Sequence, residues 1–392
     1  MWLDEQVTRN LGDRLRVARD AAGMTQGTAA EHVDMSRTTL LAIEKGQRRV
    51  RLEELQRLAL LYGTSVNMML RRESVFVDLV PRFRRLRAAD NEGLARSARL
   101  LSDLVRAEVE LENILGIDRV RNDPPERPIQ AGNVQPQAEN DAMELRHRLG
   151  LGLSPIRDLV SILEWELGMR VYVRRLEASV SGVFAYDDSV GGCILLNASH
   201  PKERRTQSAA HEVGHFVATR READLLWVDD RADSKEERYA NIFARAFLTP
   251  ARTVMQRFGD VTAGSSHLTR RHVILLAHFF GVSREAMVRR LEELGLTKSG
   301  TWDWFMANGG ITNEHVRQVL GDLEAADAED HFADQPTTVR LSLLAAEAWR
   351  RDLLSEGQLA RLLCVDRLDV REILDSGETE RGMADELPRL AE

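Results

Sequence analysis

The stretch Ser208-Ala209-Ala210-His211-Glu212-Val213-Gly214-His215-Phe216-Val217-Ala218-Thr219 decides how this chain is read. It is apolar and compatible with a helix. Residues four apart on a helix share a face, so His211 and His215 can present imidazole nitrogens to one metal ion. Glu212 projects beside that ion, where a carboxylate can take a proton from a water on the metal. This is the H-E-x-x-H arrangement used for metal-dependent peptide hydrolysis. Charged helices also produce the five-residue pattern by chance, so its surroundings matter. Ala209, Ala210, Val213, Phe216 and Val217 mark a helix buried on most sides.

Such a site needs a third protein ligand, and a second helix follows. Ser234-Lys235-Glu236-Glu237-Arg238-Tyr239-Ala240-Asn241-Ile242-Phe243-Ala244 has helical character, and Pro250 predicts a stop near Leu248. Glu237 shares a face with Ala240, Asn241 and Ala244. It also fits a capping box, because Ser234-x-x-Glu237 has that spacing. The residues alone leave both readings open, with Glu236 as the other candidate ligand.

A second informative run opens the chain. Leu15-Arg16-x-Ala18-Arg19, Gly23-Met24-Thr25-Gln26, Ala30-x-x-Val33-x-Met35-Ser36-Arg37-Thr38-Thr39-Leu40 and Ile43-Glu44-x-Gly46 read as short helices. Thr25 and Ser36 suit N-caps. Leu15, Ala18, Ala30, Val33, Leu40, Ile43, Leu55, Leu58 and Ala59 recur at helical spacing and would fill a small core.

Residues 10–70 resemble the Xre/Cro-type helix-turn-helix domain. Arg204-Arg205-Thr206-Gln207-Ser208-Ala209-Ala210-His211-Glu212-Val213-Gly214-His215-Phe216, Glu237-x-x-Ala240-Asn241-x-Phe243-Ala244 and Leu248-Thr249-Pro250 resemble the ImmA/IrrE family of bacterial zinc peptidases. That resemblance runs from about Leu149 to Leu296. Thr249 departs from it, since members often carry a bulky apolar residue before the proline. The resemblance implies Zn²⁺ held by His211, His215 and Glu237, with Glu212 as catalytic base. It also implies cleavage of a transcriptional repressor, switching on phage, mobile-element or stress genes. The first resemblance implies a recognition helix entering the major groove by its N-terminal end, here Ser36, Arg37, Thr38 and Thr39. Arg37 can reach a guanine edge bidentately, and the threonines can meet a thymine methyl or a base acceptor. Gln26 is placed at a phosphate. Single domains of this type usually act as dimers on two half-sites, so a homodimer on a double-stranded DNA operator is expected.

Charge fits this division. Residues 1–90 hold 16 Lys/Arg and 12 Asp/Glu, a net of +4, while the whole chain carries −8. A basic N-terminal module with an acidic remainder suits one DNA-binding face. Apolar residues make up 43% and charged residues 30% of the 392 positions, a composition of globular domains rather than of disorder. No apolar stretch approaches the ~20 residues of a membrane span. The opening Met1-Trp2-Leu3-Asp4-Glu5 lacks the order of a secretion signal, and only Cys193 and Cys364 occur. The expected setting is the cytoplasm, with no membrane partner.

The fold class expected is mainly α, with a small α+β peptidase domain. Residues 1–72 form the all-α helix-turn-helix domain and 73–116 an amphipathic helical connector ending at Gly116. Residues 117–140, with Pro124, Pro125, Pro128 and Pro136, read as an exposed, semi-rigid linker. Residues 141–300 form a zincin-like peptidase domain. In it Met169–Val173, Ser181–Tyr186 and Cys193–Asn197 make three strands ahead of the H-E-x-x-H helix. Residues 301–392 form a helical C-terminal region. There Ser355-x-x-Gln358 opens a candidate second helix-turn-helix-like or sensor module, after an acidic and mobile stretch at 321–336. Two functions compete. In one, the chain is a DNA-binding regulator carrying a zinc endopeptidase that cleaves a repressor or antitoxin-like protein. In the other, it is a non-proteolytic transcription factor whose peptidase-like domain senses a ligand or partner.

Overall fold

Thr25 Oγ1 accepts from Thr28 N and Ser36 Oγ from Thr39 N, so each hydroxyl closes a helix N-terminus where the sequence predicted it. The helices they open are α2 (Gln26–His32) and α3 (Arg37–Glu44), flanked by α1 (Trp2–Ala21) and α4 (Leu52–Leu61). Leu15, Ala30, Val33, Leu40, Ile43, Leu55 and Leu58 converge in one core, as their spacing required. Glu44 is buried within this unit, where Arg19 Nε donates to its Oε1 at 2.7 Å and Gln26 Nε2 to its Oε2 at 2.8 Å.

The computed structural model describes residues 2–64, 92–220, 234–321 and 337–378. The chain divides into two compact units, Met1–Phe76 and Val77–Glu392. Of the expected connector, positions 73–91 lie outside the described residues, as does 322–336 of the acidic stretch.

The second unit is built on a three-stranded sheet, β1 (Arg170–Arg174), β2 (Gly182–Asp187) and β3 (Gly191–Asn197). The order is β1-β3-β2, with β1 parallel and β2 antiparallel to the central β3. One face presents Val171, Val173, Phe184, Tyr186, Ile194 and Leu196 to a core built with α6 (Val134–Arg148), α8 (Lys202–Ala218) and α9 (Lys235–Leu248). The other face presents Tyr172, Val183, Ala185, Cys193 and Leu195 to a second core. That core is roofed by α5 (Glu92–Leu115) and by α15 (Val339–Arg350), α16 (Glu356–Leu363) and α17 (Arg367–Glu378). Between α6 and β1, a turn of helix α7 (Leu159–Ser161) runs into a π-helical stretch, Ile162–Glu166. Beyond α9 come α10 (Ala251–Thr262), α11 (Arg270–Phe280), α12 (Arg284–Glu293), α13 (Thr301–Ala307) and α14 (Asn313–Leu320). Helices α11 to α14 share a small satellite core around Val273, Val288 and Phe305.

Two expectations change. The stretch 117–140 is no free linker. Its last part is the start of α6, and the rest is tied down by backbone groups: Asn122 N donates to Leu167 O, Arg127 N to Val217 O, and Arg220 donates to Pro124 O. The prolines keep the strap extended while its neighbours supply the bonds. The region 301–392 is likewise not one appended module. Helices α13 and α14 belong to the satellite core, whereas α15 to α17 complete the cover of the sheet. Ser355 and Gln358 do form the expected capping box at α16.

Candidate functional site

Helix α8 carries His211, Glu212 and His215 into the interior, with 6%, 0% and 2% of their surfaces exposed. The helix runs across the sheet and packs on α9. Gly214 sets the spacing of that contact: a Cβ built on it would stand 2.9 Å from Ala240 Cα of α9. The close approach brings the first turn of α9 to the two imidazoles. Ser234 Oγ accepts from Glu237 N, so Ser234 caps α9 as the capping-box spacing suggested. The Glu237 side chain does not complete the box. It turns to the histidines, with Oε2 3.3 Å from His211 Nε2 and Oε1 3.3 Å from His215 Nε2. Among the described residues the gathered set is His211, His215 and Glu237, without Glu236.

Hydrogen bonds fix what the set offers. The Thr219 hydroxyl donates to His215 O, leaving its oxygen to accept from His215 Nδ1 at 3.3 Å. Asn241 Oδ1 accepts from His211 Nδ1 at 3.0 Å. Each imidazole therefore carries its proton on Nδ1 and turns a lone pair outward from Nε2. Those two nitrogens lie 3.1 Å apart, facing a carboxylate. Burial pushes the His211 imidazole below its ordinary range, which favours the neutral ring. Three acceptors converging on one point repel one another unless a cation sits among them. Two neutral imidazoles and one carboxylate are a donor set that suits a divalent metal, and this set fits zinc. Thr219 and Asn241 were not singled out as site residues. Thr219 could be found by spacing, four residues after the His215 it supports, whereas Asn241 supports His211 from the other helix, one turn beyond Glu237.

Glu212, the acid of the H-E-x-x-H pattern, is fully buried beside the ligand candidates. A Cβ on Gly182, at the start of β2, would lie 3.5 Å from Glu212 Oε1. The carboxylate thus reaches between the metal-ligand candidates and the edge strand. Two later histidines, His267 and His272, take other roles. His272 Nδ1 accepts from Thr269 N at the start of α11, and His267 pairs with Ser266.

In the first unit, Ser36, Arg37 and Thr38 are exposed at the N-terminal end of α3 and Thr39 is half-buried beside them. Ser36 Oγ lies 2.9 Å from Thr38 Oγ1 and 2.8 Å from Thr39 Oγ1, so one hydroxyl cluster heads the helix next to the Arg37 guanidinium. Gln26 is half-buried and gives one amide hydrogen to Glu44.

Comparison with known proteins agrees with this division. Residues 10–71 match a family model described as a helix-turn-helix domain. Residues 165–292 match the peptidase-family model described as the IrrE N-terminal-like domain. A search of the curated proteins finds no match. The crystal structure of ComR from Streptococcus suis aligns over 95% of this chain and 96% of its own, at 11% identity and a TM-score of 0.16. That value is too low for the likeness to bear on fold or function. No described helix is long and apolar enough to cross a membrane.

Proposed function

From a chain that joins a helix-turn-helix domain to an IrrE-type peptidase domain, we propose a DNA-binding regulator that carries a zinc-dependent endopeptidase. Its substrate would be a repressor or antitoxin-like protein. The observation that carries the reading is the convergence of His211 Nε2, His215 Nε2 and the Glu237 carboxylate beside a wholly buried Glu212. A non-proteolytic sensor has no use for that fourth group.

His211, His215 and Glu237 would hold the ion, with Asn241 and Thr219 fixing both imidazoles in the binding tautomer. Bound there, zinc would supply the Lewis acidity that lets water attack a peptide carbonyl near neutral pH. The chain's own residues do the rest. Strand β2 is an edge strand, paired among the described residues with β3 alone. It can hold an extended peptide by backbone hydrogen bonds, with the cleaved bond near Gly182. Glu212 takes the proton of the attacking water and passes it to the leaving amine. Its burial strengthens that exchange by excluding bulk solvent.

In the first unit, Arg37 and Thr38 would read base edges from the major groove, with Ser36 and Thr39 beside them. Gln26 Nε2 keeps a second hydrogen for a phosphate while the first holds Glu44. A homodimer on an inverted repeat is the arrangement such a domain favours.

The test pairs metal analysis with proteolysis. Purified wild type should carry one zinc per chain and His215→Ala should not. Glu212→Gln keeps the shape but cannot accept a proton, so it should retain zinc and lose cleavage of the co-regulated repressor. Equal zinc in wild type and His215→Ala, or undiminished cleavage by Glu212→Gln, would reject the reading. Zinc without cleavage by wild type would leave the sensor function.

A further inference from the structure

We propose that Arg204 selects the substrate, its guanidinium taking an acidic side chain of the bound peptide within about three residues of the cleaved bond. This rests on the peptidase reading above and adds to it a substrate class.

Arg204 and His211 are seven residues apart on α8, close to two full turns, so they lie on one face of the helix about 10 Å apart along its axis. An extended strand covers that distance in about three residues, which is the outer limit because the Arg204 side chain reaches back to Ser181. The side chain reaches the same strand as the catalytic end of the helix. Arg204 Nη2 donates to Ser181 Oγ at 3.2 Å, immediately before Gly182, which faces Glu212. One rim of the proposed peptide path thus has the base at Gly182 and a cation at Ser181.

The charge stands where local structure does not favour it. Arg204 lies in the first turn of α8, at the positive end of the helix dipole, where a carboxylate stabilises and a cation does not. Its neighbour Arg205 has a structural task, being buried with Nη1 donating to His200 O at 2.7 Å. Arg204 is exposed, and among the described residues its side chain meets a neutral hydroxyl and forms no ion pair. A guanidinium held by one hydroxyl keeps most of its donors for an incoming carboxylate.

The experiment digests a degenerate decapeptide library with the zinc-loaded full chain and sequences the cut ends. Wild type should enrich Asp and Glu at one position within about three residues of the cut. Arg204→Gln should lose that preference, and Arg204→Glu should move it to Lys and Arg, with residues flanking the cut unchanged. Binding gives a second readout. Zinc-loaded Glu212→Gln protein should hold an Asp-bearing decapeptide about tenfold more tightly than its Lys-bearing counterpart, and adding Arg204→Glu should abolish or reverse that ratio. Both Arg204 variants remove a cation from a helix N-terminus, so they should fold. Cleavage with the same acidic preference in Arg204→Glu, or with none in wild type, overturns this inference alone. No cleavage of any member by wild type overturns the peptidase reading and this inference with it.

Discussion

Gly214 sits in a variable position of the H-E-x-x-H pattern, yet the gap between α8 and α9 depends on it. Alanine there gains roughly 1 kcal/mol of helix propensity. Against that, its Cβ would stand 2.9 Å from Ala240 Cα and 3.3 Å from Ala240 O. The obstacle is backbone, which cannot swing aside, so overpacking of about 1–3 kcal/mol should win. Gly214→Ala is expected to melt lower and to lose zinc faster in dialysis against a chelator, since it pushes Glu237 from the imidazoles. Unchanged melting and retention would show that the helices yield there. The two histidines were legible from spacing, because 211/215 is an i, i+4 pair, whereas Glu237 entered through the family resemblance. Spacing did not settle which way Glu237 turns, since a capping box and a ligand use the same three-residue interval from Ser234. Only packing against α8 decides it. At the other end, Arg37→Ala should flatten discrimination between operator and scrambled DNA by roughly 1–3 kcal/mol. Gln26→Ala should weaken both alike. Competition binding at fixed salt separates the two, and a uniform loss for Arg37→Ala would remove it from base reading.

Among elements, the least legible join is the one behind the sheet. All seven residues of β3 are buried, because helices cover both faces, so the strand shows no alternation to announce its second neighbour. The polar groups that make the join are also scattered in sequence. Glu108 and Glu112 of α5 meet Arg119, Arg170 of β1 and Arg340 of α15, with Tyr172 donating to Glu108 Oε2 at 2.6 Å. Arg170 holds Glu112 at 2.7 Å, and burial opposes ionisation there, but the guanidinium groups prevail and keep Glu112 at about 2. Glu164, in the π-helical stretch, has the opposite fate. Its burial raises the carboxyl to about 8, with Glu108 adding to the rise and Arg119 and Arg340 opposing it. In the unfolded chain it ionises near 4.5. Its contribution to stability is therefore full below about pH 4.5, declines as pH rises, and stops declining above about 8. The loss is on the order of several kcal/mol at ~1.4 kcal/mol per pH unit. Glu112 acts at the other end, losing stability as pH falls from about 4.5 to about 2. Glu164→Gln keeps the shape without the charge, so it should be more stable than wild type at pH 8 and close to it at pH 5. Urea unfolding at both values measures this, and equal wild-type stability at the two would show that the carboxyl titrates normally.

For the whole molecule, the covered sheet changes what its C-terminal helices are for. As a sequence, 341–375 looks like a separable helix pair, a candidate sensor module set apart from the peptidase segment. In the fold, Leu341, Leu344, Leu359, Leu363, Val370, Ile373 and Leu374 are core residues, packed with α5 on the face of the sheet opposite α8. The reason the sequence hides this is topological: α5 and α15 to α17 flank the peptidase segment at its two ends and meet only in the fold. Fully burying one such side chain contributes about 1.5–3 kcal/mol. Seven of them together match or exceed the 5–15 kcal/mol that typically separates a folded domain from its unfolded state. Ending the chain at residue 321 should therefore do more than remove a regulator. The second unit should bind a hydrophobic dye, lose cooperative unfolding and release zinc, because α8 and α9 rest on a sheet stripped on its other side. The first unit has its own core around Leu15, Leu40 and Leu58 and needs none of these contacts. The same truncation should leave operator binding by residues 1–76 within a few fold of the full chain, apart from any affinity that pairing through the second unit supplies. Calorimetry of the truncated protein should then show the small transition of the first unit alone. Two intact transitions, with zinc retained, would mean that α15 to α17 are an accessory layer after all.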